Sequence, residues 1–510
     1  MEIKTERLEI PSEKRIFDQV IEHSIDADFT LPDFMPEISR ILKCFVTPML
    51  LDRTVSGQSI TIDGDAVINC IYSDPTGCIN AYEYTVPFRK TLDLPQSDGA
   101  DVCITLKSNY LNYRPTGQRR IDIHGAIGIC IKATESDCAT VLSSAEGGGL
   151  EVLKSELSYT APCGRFEKNV IIEEELGFPS ENAGIASVIT SRVSADAEEC
   201  KIISGKVIVR GSISIHMTYI PEGAKRCRCF ETSIPFSQML DTGDADDDCI
   251  CIPKVSVSAY ELKVKENAES GSSPVSIEVK LAVCAELYTN KTDEIITDAF
   301  STKYEAALTF SDIKYSKLQN EINERYICKK CLEFTTGSLE NIADLWSDVT
   351  AQSVKRTDEG LTISGTVTVS ILGFDCDGTA VFFEKPLDFS YSFPCDGIGE
   401  SFTADTVICI CGTSFTLQGN DKVEIRADMS VKCRVFADDS VRAVTDIVVD
   451  GDKEKSFSGN FALAVYYGIG QERLWDIAKR YNTSVSSIMK ANGIEGDVLT
   501  EGRMILIPCV

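Results

Sequence analysis

Alternation of hydrophobic and polar side chains dominates most of the chain. Residues 59–72 (SITIDGDAVINCIY), 206–219 (KVIVRGSISIHMTY) and 361–374 (LTISGTVTVSILGF) alternate β-branched and polar residues around a central glycine. Period-two alternation bounded by Gly, Pro, Asn and Asp predicts half-buried β-strands. Helix is expected in the β-rich region only as short connectors, at RIFDQVIEHS from Arg15 and NIADLWSDV from Asn341.

These three stretches belong to a longer pattern that occurs three times. Their glycines, Gly64, Gly211 and Gly365, are preceded by ISRILKCFVT, IASVITSRVS and IADLWSDVTA, and followed by YEYTVPF, FETSIPF and FEKPLDF. Two further blocks follow in the same order, DVCITLKSNYL with its counterparts and then a final strand pair such as IDIHGAIGICIKA. A unit of roughly 150 residues with several strands predicts a β-sandwich or barrel-like domain rather than a solenoid turn.

The units are therefore duplicated domains, and their boundaries are placed where polar residues and glycines interrupt the apolar pattern. These interruptions lie at 144–151, 289–298 and 450–460. The predicted fold class is mainly β, with three tandem repeat domains followed by a small α+β (βααβ) domain. The predicted segments are repeat domains at 1–147, 148–297 and 298–450, a linker at 451–460, and the small domain at 461–510.

In the small domain the pattern changes to strand, helix, helix, strand. The first helix has an apolar stripe at Leu474, Ile477, Ala478 and Tyr481, and Trp475 lies off that stripe. The second helix has its stripe at Val485, Ile488 and Met489. Thr483 or Ser484 can cap its N-terminus, and Gly493 fits the position just after its C-terminus.

The charge excludes two classes of partner. Fifty basic and 78 acidic residues give a formal charge of -28, which repels phosphate backbones and anionic lipid headgroups. Nucleic acid is therefore not an expected partner. Direct membrane insertion is not expected either, because no stretch approaches ~18 uninterrupted apolar residues. The N-terminus has charges where an export signal needs an apolar core, so the protein is expected to stay where it is made.

The 21 cysteines are scattered through a long chain, which favours reduced thiols over a disulfide framework. Cys249 with Cys251 and Cys409 with Cys411 occur in apolar alternating runs, where they are expected to be small core residues. No metal site is predicted. The pair CKKC at residues 328–331 has no second pair at zinc-finger distance, and the acidic run at residues 244–248 is expected to be a solvated loop.

No catalytic set repeats among the three units, so the sequence predicts a protein that is not an enzyme and needs no cofactor. His23, His124 and His216 fall at unmatched places, and no phosphate-binding loop, nucleophile elbow or dinucleotide motif occurs. Glu83, Glu231 and Glu384 are ionisable groups in register. Structural or interface carboxylates are favoured over general acid/base groups at these positions.

The C-terminal residues resemble the LysM module. LWDIAKRYNTSV matches its first helix and turn, IMKANGI its second helix, and LTEGRMILIP its closing strand. The resemblance implies binding of N-acetylglucosamine glycans, including peptidoglycan, in a groove between the loop before the first helix and the loop after the second. The binding residues that it implies are Gln471, Glu472, Arg473, Leu474, Trp475, Asn492, Gly493, Ile494 and Glu495.

The chain departs from the LysM pattern at the first of these loops. The family's Gly-Asp-Ser/Thr before Leu-Trp aligns on residues 471–473, so the tight glycine turn and the small hydroxyl cap are both expected to be lost. This favours a protein partner, with Arg473, Trp475 and Ile494 as interface anchors. The alternatives are that Trp475 covers the edge of the module's own core, and that the groove still binds glycan.

The whole architecture resembles the SPOCS-type (DUF3794) proteins of spore-forming Firmicutes, with LPDFMPEISRIL at residues 31–42 in the first repeat and one LysM module at the end. The resemblance implies a spore-coat scaffold made in the mother-cell cytoplasm and recruited to the forespore surface. It also implies that the LysM module docks on the coat morphogenetic ATPase, stage IV sporulation protein A, while the repeats contact other coat proteins. The alternative is a peptidoglycan-binding protein of the cell wall or spore cortex.

Overall fold

The computed structural model describes residues 3–94, 99–177, 184–243, 245–265, 275–333, 339–419, 422–455 and 462–508. Strands dominate, and the two helices found in these ranges are short and close to the C-terminus. The predicted fold class, mainly β followed by a small α+β module, is confirmed. Over the same ranges, none of the helices has the length and apolar character needed to cross a membrane.

The β-rich region consists of three units, each with six strands in the same order. Unit 1 has β1 (Lys4–Thr30), β2 (Arg40–Ser56), β3 (Ser59–Ser73), β4 (Ile79–Asp93), β5 (Asp101–Pro115) and β6 (Arg120–Glu146). Unit 2 has β7 (Leu150–Leu176), β8 (Ile185–Ile203), β9 (Lys206–Pro221), β10 (Arg228–Asp241), β11 (Ile250–Val264) and β12 (Val275–Ser301). Unit 3 has β13 (Tyr304–Glu333), β14 (Asn341–Thr357), β15 (Gly360–Phe374), β16 (Ala380–Phe393), β17 (Phe402–Gln418) and β18 (Lys422–Glu454).

Each unit is a sandwich of two three-stranded antiparallel sheets. The second, third and fourth strands form a meander, and the sixth strand lies between the first and fifth in the other sheet. The alternating apolar residues of the two central strands face each other, as Ile62 of β3 and Ile129 of β6 do in unit 1, and both are fully buried. The predicted alternation therefore builds one core in each unit.

The repeated glycines mark a close approach of the backbone. A Cβ atom on Gly64 would lie 2.5 Å from the carbonyl oxygen of Met49, and one on Gly211 would lie 2.0 Å from that of Asp196. Each glycine is paired across the meander with a phenylalanine, Phe88 in unit 1 and Phe236 in unit 2, whose ring covers it. A larger residue would push against both the carbonyl oxygen of the second strand and the phenylalanine ring, which explains why glycine and phenylalanine recur together.

The first and sixth strands of each unit extend beyond the sandwich as a two-stranded ribbon. β1 pairs with β6 along its whole length, whereas β5 pairs only with residues 121–134 of β6. An isolated two-stranded ribbon is marginally stable because it has no buried face. The three ribbons avoid this by packing on one another in two buried clusters. The first includes Ile10, Val141, Leu157, Ile295, Ile313 and Ala443, and the second includes Leu142, Ile296 and Val444.

The three meanders close a ring at the other end of the units. The fourth strand of each unit contacts the second strand of the next, so that β4 meets β8, β10 meets β14, and β16 meets β2. Ile71, Ile189 and Leu372 are buried in the cluster between them. Charged pairs also join neighbouring units, including Lys43 Nζ to Glu384 Oε2 at 2.7 Å and Lys254 Nζ to Asp405 Oδ2 at 2.9 Å.

Both predicted connector helices are wrong. The segment from Arg15 lies inside β1, and the segment from Asn341 begins β14. In β14, Leu345 packs into the core of unit 3, while its neighbour Trp346 points the other way and packs in the ring. Because both faces of this strand are buried, its sequence lacks the polar alternation of a half-buried strand and resembles a helix.

The predicted final strand pair of each repeat is also wrong, because β6, β12 and β18 are each continuous. The polar interruption at 144–151 contains the turn between β6 and β7, and the one at 289–298 lies within β12. The interruption at 289–298 is polar because several of its residues are exposed on the ribbon. Residues 451–454 of the predicted linker still belong to β18, and residues 456–460 lie outside the described residues. The division into domains stays a prediction.

The prediction of reduced thiols is wrong for one pair, since Cys200 and Cys251 form a disulfide across 51 positions. Cys200 lies near the end of β8 in one sheet of unit 2 and Cys251 lies near the start of β11 in the other, so the bond crosses the sandwich. Alternation predicted the face of Cys251 but could not identify its partner. Cys328 and Cys331 of the CKKC pair are free thiols, respectively buried and exposed on β13. Asp244 of the acidic run lies outside the described residues.

Candidate functional site

The C-terminal module has the predicted strand, helix, helix, strand order. Its elements are β19 (Leu463–Gly468), α1 (Leu474–Tyr481), α2 (Val485–Asn492) and β20 (Arg503–Pro508), and the two strands pair antiparallel. Leu474, Ile477, Ala478 and Ile488 are fully buried between the helices and the hairpin. Ser484 caps α2 by accepting a hydrogen bond from the Ser487 amide at 3.1 Å, and Gly493 ends α2 in the left-handed region, as expected.

The loop before α1 keeps a tight turn without its glycine. Gln471 has a φ of +74°, in the left-handed region that favours glycine, and its amide donates to the Leu499 carbonyl at 2.7 Å. Glu472 accepts from the Ile469 amide at 3.1 Å and from the Tyr466 hydroxyl at 2.8 Å, which raises the pKa of Tyr466. Arg473 occupies the N-cap of α1 with no side-chain cap, so the loss of the hydroxyl cap predicted from the sequence is confirmed.

Replacing Gln471 with glycine is expected to stabilise the chain by about 1 kcal/mol, because a left-handed conformation costs a non-glycine residue roughly 1–2 kcal/mol. Chemical denaturation followed by the signal of the C-terminal module measures the change. Gly493→Ala is the matched control, since it introduces the same strain at a φ of +61° and should destabilise. A destabilising Gln471→Gly change would show that side-chain contacts of Gln471 outweigh its backbone strain.

The loop after α2 is fixed by Asn492. Its side-chain amide donates to the Leu506 carbonyl at 2.6 Å and accepts from the Leu506 amide at 2.6 Å, so it fixes the end of α2 to β20. Asn492 is therefore occupied structurally. Gly493 and Glu495 are exposed, and Ile494 is partly buried against the module core. The two loops predicted to bind a ligand each contain a left-handed residue, Gln471 and Gly493, and Gln471, Arg473 and Glu495 are exposed on them.

Trp475 attaches the module to unit 2. Its side chain is 6% exposed, and its ring packs edge-on against Phe300 of β12 with 5.0 Å between centroids. The indole nitrogen donates to Asp298 at 2.9 Å, and Lys479 pairs with the same carboxylate at 2.7 Å. Trp475 is therefore neither exposed for a partner nor confined to its own module, because it packs on the ribbon of unit 2. Leu474 is also core.

The outer face of the two-stranded β19–β20 sheet exposes apolar side chains that were not among the predicted binding residues. Tyr467, Ile469 and Met504 are 67–70% exposed. Alternation places them on one face, while Ala464 and Tyr466 point inward to the helices. We refer to this surface as the hairpin face, and it consists of Leu463, Val465, Tyr467, Ile469, Met504 and Leu506. Its sequence signal is β19, where both faces of a short exposed strand are apolar.

The repeated glutamates lie at equivalent places, on the fourth strand of each meander. Each is paired directly across from the third strand, with Asn69, His216 and Ser370 opposite Glu83, Glu231 and Glu384. Glu384 forms the ion pair with Lys43 of the neighbouring unit. Glu231 contacts His216, whose hydrogen bond lowers the pKa of the Glu231 carboxyl. Both carboxylates therefore lie where units meet.

Comparison with protein families identifies two kinds of domain. The family model described as SipL, SPOCS domain, matches residues 37–115 and 184–265, which contain β2–β5 and β8–β11. The LysM domain model matches residues 472–508. No curated protein and no solved structure matches the chain. Unit 3 lies outside the matched segments and has the same strand order as the other two. The chain therefore contains two segments that match the SPOCS domain and a C-terminal segment that matches the LysM domain.

Proposed function

We propose that the chain is a non-enzymatic scaffold of the spore coat, recruited to the forespore surface by docking its LysM domain on the coat morphogenetic ATPase, stage IV sporulation protein A. The SPOCS and LysM domains associate the chain with sporulation and with peptidoglycan-binding modules. The three units offer their outer sheet surfaces to other coat proteins. The observation that carries the proposal is the hairpin face, whose apolar side chains are exposed.

The hairpin face has the character of a protein-binding surface. A two-stranded sheet packed on one side normally presents polar residues on its other side. Here six neighbouring side chains are apolar, with Val465 opposite Leu506 and Tyr467 opposite Met504. Contiguous exposed apolar patches of this kind mark interaction sites, and an aromatic residue near the centre is a favourable anchor. The contact therefore centres on the hairpin face, with the exposed Gln471 and Arg473 at its rim.

The distribution of charge supports docking through this module. Residues 461–510 contain five basic and five acidic side chains, so the entire formal charge of -28 belongs to residues 1–460. The SPOCS units repel other acidic surfaces, whereas the LysM domain carries no net charge to oppose an approaching protein. Trp475, which is held against Phe300, orients the module so that its hairpin face is open to solvent.

We expect the cross-strand double substitution Tyr467→Ser and Met504→Ser to weaken capture of the ATPase by the full chain about tenfold or more. Affinity measured by surface plasmon resonance checks this, with Arg473→Ala as a matched variant on the loop. Loss with Arg473→Ala alone would move the contact from the hairpin face to the loops. No binding by the unchanged chain would overturn the recruitment proposal.

The second candidate function is peptidoglycan binding, and the preserved backbone of the two loops favours it. Gln471 keeps the left-handed turn that the family makes with glycine, and Gly493 keeps the turn after α2. If the groove binds glycan, the full chain sediments with purified peptidoglycan and Gln471→Gly sediments at least as well. A chain that stays in the supernatant contradicts this function and leaves the hairpin face as the candidate surface.

A further inference from the structure

The three units carry different side chains at one pair of equivalent positions on the interface between units. Position by position, the third and fourth strands carry Asn69 and Ala81 in unit 1, and Ser370 and Phe382 in unit 3. Unit 2 alone has a histidine and a cysteine at these positions, His216 and Cys229. The shared glutamate completes the set as Glu231. Two metal-ligating side chains have therefore been placed beside a carboxylate that all three units share.

The strand register brings the three side chains to one face of the sheet. Cys229 and Glu231 are two apart on β10, and His216 of β9 lies directly opposite Glu231. His216 Nδ1 is 2.8 Å from Glu231 Oε1, and Cys229 Sγ lies beside the ring, 3.7 Å from Nδ1 and 3.4 Å from Nε2. The three donor atoms all lie within 4.8 Å of one another. In the described residues this is the one cluster of three or more such donors that could hold a metal ion.

A buried carboxylate from the next unit already orients the histidine. Asp344 of β14 has a 1% exposed side chain, and its Oδ1 is 2.8 Å from His216 Nε2. The hydroxyl of Thr218 donates to the other oxygen of Asp344, and Arg192 lies 3.8 Å from it. Metal-binding histidines characteristically donate their second ring nitrogen to such a carboxylate, which fixes the ring and increases its basicity. Nδ1 is thereby left facing Glu231, with Cys229 Sγ beside the imidazole ring.

We propose that His216 Nδ1, Cys229 Sγ and Glu231 bind a zinc-class divalent cation at the junction of units 2 and 3. Sulfur and imidazole donors select zinc over magnesium or calcium, and three protein ligands leave one tetrahedral position for water. Nitrogen and oxygen ligands of tetrahedral zinc are about 3.3 Å apart, so Glu231 has to move away from His216 by about 0.5 Å. The Cys229 side chain also has to rotate from beside the ring toward Nδ1. The thiol proton and the imidazole Nδ1 proton pass to solvent on binding.

The cation would couple two units of the ring. His216 and Glu231 belong to adjacent strands of unit 2, and Asp344 belongs to the second strand of unit 3. Binding therefore fixes β9 against β10 directly and fixes β14 through the hydrogen bond from His216 Nε2 to Asp344. Since Cys229 and Glu231 are both exposed, the site is open to ions from solution.

Titration of the full chain with cobalt(II) tests the site. The expected result is one equivalent bound with the absorption of four-coordinate, thiolate-ligated cobalt, which zinc then displaces. No reductant is added, so that the Cys200–Cys251 disulfide stays closed. His216→Asn and Cys229→Ala each install the residue that unit 1 carries at the same position, so both variants should fold. Each is expected to lower affinity at least 100-fold, and Asp344→Asn about 10–100-fold.

Two control variants separate this site from the other thiols and glutamates. Cys138→Ala removes an exposed free thiol of unit 1, and Glu384→Gln removes the equivalent glutamate of unit 3. Both should bind cobalt like the unchanged chain. A second readout is the midpoint temperature of thermal unfolding. Zinc should raise it in the unchanged chain but in neither His216→Asn nor Cys229→Ala. Equal cobalt spectra in the unchanged chain, in His216→Asn and in Cys229→Ala would overturn the proposal.

Discussion

Replacing Trp475 with alanine is expected to destabilise the LysM domain by about 3–5 kcal/mol, the range for truncating a buried tryptophan. Trp475 is 6% exposed and contributes both to the core of the module and to its contact with Phe300. Its loss also leaves Asp298 with Lys479 as its remaining partner from the module. Native-state hydrogen exchange of α1 and of the last residues of β12 measures the effect, since both should lose protection.

A second truncation distinguishes undocking from unfolding of the module. Phe300→Ala removes the ring on the β12 side of the contact and leaves every side chain of the LysM domain itself in place, so protection should fall at the end of β12 and remain in α2. Tyr467→Ala is the exposed aromatic control and should change stability by no more than about 0.5 kcal/mol. Unchanged exchange in Trp475→Ala would contradict the attachment of the module to unit 2.

The pattern of the chain predicts the units but not their association. Strands β3, β9 and β15 were predicted from alternation around Gly64, Gly211 and Gly365, because one of their faces packs in a sandwich and the pattern is local. β14 was mistaken for helix because Trp346 packs in the ring while Leu345 packs in the sandwich. Burial by a neighbouring unit is a long-range effect that a single strand's sequence does not express.

The candidate surfaces differ from prediction for the same reason. Trp475 was correctly placed off the apolar stripe of α1, but its contact with Phe300 comes from a residue 175 positions earlier. Conversely, the hairpin face follows from local alternation in β19, where outward Val465 and Tyr467 interleave with inward Ala464 and Tyr466. Attention to the outward positions of that strand would have found it.

The LysM loop shows that a backbone conformation can outlast the residue that favours it. The absence of glycine at position 471 predicted that the tight turn was lost, yet Gln471 adopts the left-handed conformation. The surrounding hydrogen bonds impose it, because the Gln471 amide is held by Leu499 and Glu472 accepts the Ile469 amide. Local propensity of about 1 kcal/mol is outweighed by several such bonds.

The cluster at His216 illustrates a site that no short motif reveals. His216 and Cys229 are 13 positions apart and lie on neighbouring strands, so their proximity depends on the hairpin register. Alignment of the three repeats supplies the missing signal. At these two positions unit 1 has Asn69 and Ala81, while unit 2 has two side chains that metals prefer.

Loss of the Cys200–Cys251 disulfide is expected to destabilise unit 2 by about 4 kcal/mol, the loop-closure term for the 51-residue separation. Without the disulfide, the chain gains conformational freedom mainly in its unfolded state. The native sandwich should therefore keep its structure while its unfolding midpoint falls. Denaturant unfolding of a Cys200→Ser, Cys251→Ser double variant measures this, with Cys138→Ser as a free-thiol control of near-zero effect. Adding reductant to the unchanged chain should reproduce the loss and leave the double variant unaffected. Equal unfolding midpoints for the unchanged chain and the double variant would mean that the sandwich core, through Val209 and Val279, holds the two sheets together without the covalent bond.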